Sequence, residues 1–187
     1  MEPRQGFQGR ARAHSATVTL AAAALVAVGA SPALAAPAKA PPSQVGKVIT
    51  INHGIGKLTP GLGPGAVRKL LGAPNRTARA TDDAGKRRVL RMDYKRYGLS
   101  LLFELDATQP NVVAVIDVKS PKYHTTGGVH VKSTKAALLR AHPETSCALL
   151  SGGKPGEEVC SIQGDGMQTT FVTTKAQRIR TIEMGTA

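Results

Sequence analysis

Gly61-Leu-Gly-Pro-Gly-Ala-Val-Arg-Lys-Leu-Leu71 overlays without a gap on Lys132-Ser-Thr-Lys-Ala-Ala-Leu-Leu-Arg-Ala-His142. Ala66, Val67 and Leu70 fall on Ala137, Leu138 and Ala141, apolar positions spaced to share one face of a helix. A proline follows each segment, Pro74 and Pro143, and proline cannot continue a helix because it lacks the amide proton. Further on, Leu101–Leu105 overlays on Thr169–Thr173, which puts Phe103 on Phe171. Val113–Val118 then overlays on Ile179–Met184, with Ile116 on Ile182. Matches that recur in the same order predict two copies of one structural unit.

Alternation fills in each unit. Leu90, Met92 and Tyr94 alternate with charged Arg91, Asp93 and Lys95, the pattern of a half-buried strand. Leu99, Leu101, Phe103 and Leu105 share one face of the next strand, with Ser100 and Glu104 on the other. Asp106–Asn111 reads as a turn and Val112–Val118 as the returning strand. The second copy reads as a helix near Thr134–Ala141, then strands near Val159–Ile162, Met167–Thr173 and Ile179–Met184. A helix followed by antiparallel strands gives an α+β fold. The expected architecture is two pseudo-repeats, residues 48–120 and 121–187, each a short helical segment packed on an antiparallel meander.

The run Leu58-Thr-Pro-Gly-Leu-Gly63, then Ala66-Val-Arg-Lys-Leu-Leu-Gly-Ala-Pro74, Asp93-Tyr94 and Leu101-Leu-Phe103, resembles the BamE (SmpA/OmlA)-like repeat. Its tandem use is similar to the β-lactamase inhibitory protein family, in which each half places a helical hairpin on a four-stranded sheet. The resemblance spans about residues 55–184. It implies a non-catalytic protein of the envelope assembly or secreted inhibitor kind.

The amino-terminal segment reads as an export signal. Arg4, Arg10 and Arg12 precede the uncharged run Ala16–Ala30, and Ala33-Leu-Ala35 supplies small residues for cleavage. Cleavage after Ala35 avoids Pro37 at the new amino terminus, so residues 1–35 form the signal peptide. No cysteine lies near it to take a lipid anchor, and no transmembrane span is expected once it is removed. Residues 36–47, rich in Pro and Ala, suit an extended linker. Cys147 and Cys160 are the whole complement of thiols, and in an exported chain they are expected to form a disulfide.

Charge then narrows the partner. The chain has 25 Lys+Arg against 12 Asp+Glu, a net of +13, and the signal peptide removes only three arginines and Glu2. The densest basic stretch runs from Arg76 to Arg96. Arg87, Arg88, Arg91, Lys95 and Arg96 are the candidate anionic-surface binding residues, with Tyr94 and Tyr97 interleaved. Outside the cell, nucleic acid is not an expected partner; an anionic envelope polymer or a membrane surface suits this charge better.

Catalytic readings find little support. The glycine-rich stretch Gly54–Gly65 breaks the phosphate-loop pattern, since Gly56-Lys57 is followed by Leu58. Gly61, Gly63 and Ala66 fit a dinucleotide fingerprint, but no βαβ unit follows. His53, His124, His130 and His142 lack metal-ligand spacing. The expectation is a secreted, non-enzymatic binding module of the cell envelope or extracellular space, without cofactor, metal or catalytic residues. Its ligand is an anionic polymer or another secreted protein. The alternative is an inhibitor or regulator of a secreted enzyme.

Overall fold

A strand that buries every second side chain needs a partner layer on that side only, and this rule organises the molecule. The computed structural model describes residues 45–81, 88–105 and 111–186. The signal peptide, linker residues 36–44, Arg87 and most of the Asp106–Asn111 turn lie outside the described residues. In chain order the elements are β1 (Val48–Thr50), β2 (Gly54–Ile55), α1 (Pro64–Leu71), β3 (Arg76–Thr81), β4 (Arg88–Tyr94), β5 (Leu99–Leu105) and β6 (Val112–Val118). There follow β7 (His124–Thr125), α2 (Lys135–Ala141), β8 (Ser146–Leu149), β9 (Glu158–Gln163), β10 (Met167–Thr173) and β11 (Ile179–Thr186).

The strands form an eight-stranded sheet of order β3-β4-β5-β6-β11-β10-β9-β8 and a three-stranded sheet of order β2-β1-β7. Every pairing in the large sheet is antiparallel. The fold is therefore α+β with strand predominating. Its two helices are short, as the bounding prolines require. Pro64 occupies the first turn of α1, where its missing amide costs nothing, and the Thr134 hydroxyl caps α2 by accepting from Ala137 N.

The inner face of the large sheet carries the core. Met92, Leu101, Phe103, Ile116, Phe171, Ile182 and Met184 are all fully buried there, together with Val67 of α1, Leu138 of α2, and Ile49 and Ile55 of the small sheet. The backbone amide of Asn52 donates to the Thr169 hydroxyl at 2.7 Å and ties the small sheet to the large one.

Several elements depart from the sequence reading. β3 and β8 add an edge strand on each side of the sheet, and β1, β2 and β7 were not foreseen at all. Arg76–Thr81 is exposed at nearly every position, so it has no apolar alternation to find. It is a strand because β4 offers it a ladder. Its arginines also suit an edge, where charge discourages pairing with another chain.

The phenylalanine overlay needs correction. Both hairpins carry a bulge, at Ala114 in β6 and at Arg180 in β11. Measured against Ile116 and Ile182, the residue opposite is Leu101 in one case and Phe171 in the other. Phe103 and Phe171 therefore sit two rungs apart. A slip of two residues keeps every side chain on its own face, so alternation alone cannot detect it.

Candidate binding surface

The outer face of the large sheet has no helix or strand packed over it among the described residues. Its side chains are set by register. Asp93 of β4 stands opposite Ser100 of β5, Ser100 opposite Asp117 of β6, and Asp117 opposite Glu183 of β11. The same rung continues through Thr170 and Ser161 to Ser146, and begins with Arg76 on β3. Every one of the eight strands thus contributes a polar side chain to one line across the sheet.

The centre of that line is electrostatically shaped. Asp93 accepts from Arg91 Nε at 2.9 Å and from the Ser100 hydroxyl. Burial alone would push its carboxyl up, but the Ser100 hydroxyl, the Arg91 guanidinium and the Lys119 charge together hold it below the usual aspartate value. Asp117 Oδ2 pairs with Lys119 Nζ at 2.8 Å, while its Oδ1 is buried without a hydrogen-bond partner. Glu183, facing Asp117, is pushed up, first by burial and then by the Asp117 charge, against the pull of Lys119 and Arg180. Arg91, Ser100, Leu102, Val115, Asp117 and Glu183 line a cleft of about 240 Å³ here. The surface can donate, accept and pair charges, with Leu102 and Val115 as apolar shoulders.

Of the sequence-derived basic residues, Arg87 lies outside the described residues, and the other four divide between the two faces of β4 and the turn that follows it. Arg91 lies on the outer face, paired with Asp93. Arg88 shares the parity of buried Leu90 and Met92 and is exposed where β4 begins. Lys95 and Arg96 lie in the turn after β4, where the Arg96 guanidinium stacks 4.5 Å from the Tyr97 ring centre. Tyr94 belongs to the core, where its hydroxyl meets Met92 Sδ and burial raises it to about 12. Sequence reasoning missed Asp117 and Glu183, although the repeat overlay had already placed one on the other.

Other polar groups are structural. His142 Nε2 lies 3.0 Å from the Thr125 hydroxyl, and His142 Nδ1 lies 3.5 Å from Glu144. This hydroxyl–imidazole–carboxylate line has the order of a hydrolytic triad. However, Thr125 is fully buried and its oxygen already accepts the Val129 amide, so the line fastens the end of α2 to β7. Cys147 and Cys160 are bonded as a directly opposed pair between β8 and β9. Among the described residues no three His, Cys, Asp or Glu side chains converge as metal ligands would. Among them, too, no helix is long and apolar enough to cross a membrane.

No family model and no curated relative matches the chain. Among solved structures, it is similar to an extracellular protein containing an SCP domain from Bacillus anthracis str. Ames, with TM-score 0.47 and 8% identity. The match covers 67% of this chain and 43% of that one, so this chain spans less than half of that protein's length. It is also similar to a DUF4309 family protein (YjgB) from Bacillus subtilis subsp. subtilis str. 168, with TM-score 0.44 and 14% identity, covering 67% of this chain and 78% of that one. Neither structure is described as a BamE-like or β-lactamase inhibitory protein.

Proposed function

We propose that this chain is an exported, non-enzymatic binding module, built from two copies of a helix-and-four-strand unit, that engages a partner through the outer face of its large sheet. The observation that carries the reading is the centre of the polar rung. Polar side chains are what any water-facing sheet face carries; what sets this one apart is its centre, where a carboxylate oxygen of Asp117 is buried without a hydrogen-bond partner opposite a second, partly buried acid, Glu183. The signal-like amino terminus and the disulfide support export. The two-copy reading rests on the mirrored strand order, on the matching bulges, and on Asp117 meeting its own counterpart Glu183 at the seam.

The face favours a protein partner over an anionic polymer. Asp93 neutralises Arg91, and the seam itself is acidic, so a cationic or hydrogen-bonding group from a partner is what it complements. An inhibitor of a secreted enzyme is the same reading with an enzyme as the partner. The test immobilises the mature chain and challenges it with culture supernatant and wall fraction from the producing cells. A protein retained by the wild type should be lost by Leu102→Arg combined with Val115→Arg. Retention unchanged by that pair would overturn the use of this face.

A further inference from the structure

A second surface stands apart from the outer face. The register brings four chain segments to the same end of the large sheet. They are the turn after Tyr94, the exit from β6 at Val118, the turn after Thr173, and the loop between Leu149 and Glu158. Lys95, Lys122, Lys154, Lys175 and Arg178 are all exposed on these segments. The acids at this end are already engaged: Asp117 by Lys119, Glu157 by Arg180 at 2.7 Å, and Glu158 by Lys135 at 2.7 Å. Lys95, Lys122, Lys154 and Lys175 have no ion pair among the described residues. The opposite end is mixed among the described residues: the turn between β9 and β10 carries Asp165, and exposed Arg88 begins β4.

We infer that this end is a rail for a linear, phosphate-bearing polyanion of the envelope, an inference that rests on the exported reading above but not on the outer face. The cations are spread along the strand tips and the loops that leave them. From β4 to β8 that spread crosses six strand spacings, roughly 29 Å at about 4.8 Å each. None of them lines the clefts of the outer face, where a compact anion would be gripped. Lysines, flexible point charges without a fixed fork, favour a repeating charge over a shaped group. A membrane surface fits less well, because among the described residues Leu149 at the far corner is the exposed large apolar side chain of this end, with no continuous apolar face beside it. The sequence reading placed the basic function along β4; the topology moves it to the strand tips and keeps Lys95.

Titration of the mature protein with long-chain inorganic polyphosphate tests the inference. Lys95→Gln, Lys154→Gln and Lys175→Gln together should weaken binding at least about tenfold at 0.1 M salt. They should also flatten the dependence of log affinity on log salt by roughly two, since each lost contact releases fewer counterions. Arg79→Gln, Arg88→Gln and Arg140→Gln, an equal charge change placed elsewhere, should cost less than about threefold. Equal loss in both variants would reduce the effect to net charge and overturn the rail. So would binding to phosphatidylglycerol vesicles without binding to polyphosphate, which identifies a membrane surface. Unchanged thermal midpoints keep both variants interpretable. The Leu102→Arg and Val115→Arg pair should leave polyphosphate binding intact, which separates failure of the rail from failure of the outer face.

Discussion

Asp117 and Glu183 face each other where the two halves of the sheet meet, and like charges directly opposite on neighbouring strands repel. Burial first, and then this repulsion, raises the Glu183 carboxyl above its ordinary value of 4.5, so the folded chain holds this proton to higher pH than the unfolded chain does. The folded state binds more protons in that window, and its stability falls as pH rises through it. Glu183→Gln should remove the loss: denaturant unfolding should show the variant gaining on the wild type between pH 4 and pH 8. A constant difference across that range would exclude Glu183 as the source. Asp93 works in the opposite direction. Its lowered carboxyl contributes stability that is present above its ordinary 3.8 and lost as pH falls through the folded value, so Asp93→Asn should flatten the acid limb. These residues could be read as outward-facing from alternation, but not as neighbours, because register is a property of two strands and not of one.

At the scale of elements, β8 is the most dependent on a covalent tie. It is four residues long, mostly exposed, and paired on one side alone. The Cys147–Cys160 bond joins it to β9 across a sequence separation of 13. Closing a loop of this size is worth on the order of 3 kcal/mol by chain entropy. Cys147→Ser with Cys160→Ser should cost about that much, and amide exchange should accelerate first at Ser146–Leu149. Protection there equal to that of β10 would show that the ladder alone holds the edge. α2 offers a smaller test: Thr134→Ala removes its cap and should cost about 1 kcal/mol in thermal or denaturant unfolding. Both helices and the strands β4, β5, β6, β9, β10 and β11 were legible, because each carries an apolar period of its own. β3 and β8 were not, because edge strands are held by a neighbour's ladder and need no pattern.

For the molecule as a whole, the two halves share one core as well as one sheet. Phe103 and Phe171 are each fully buried in it, with Leu138 and Val67 above the sheet. Phe103→Ala and Phe171→Ala should each cost about 3–5 kcal/mol, and each should shift the same single unfolding transition. Two separated transitions would mean that the halves are independent units. Export is tested separately: intact mass of the secreted protein should place its amino terminus at Ala36, and cell-associated protein retaining residues 1–35 would contradict cleavage.

The sequence by itself determined the number and kind of the patterned elements, that each helix stops short of its proline, Pro74 or Pro143, and the cysteine pair. Those are local matters, decided by periodicity, by the missing proline amide and by the scarcity of thiols. The tertiary structure alone decided what lies side by side. It set Phe171 two rungs from Phe103, brought Asp117 to Glu183, and gathered lysines from distant turns onto one end of the sheet. The physical reason is the two-residue period of a strand. It fixes which face a side chain takes, but it leaves the slide along the neighbouring strand to be settled by turns, bulges and core packing.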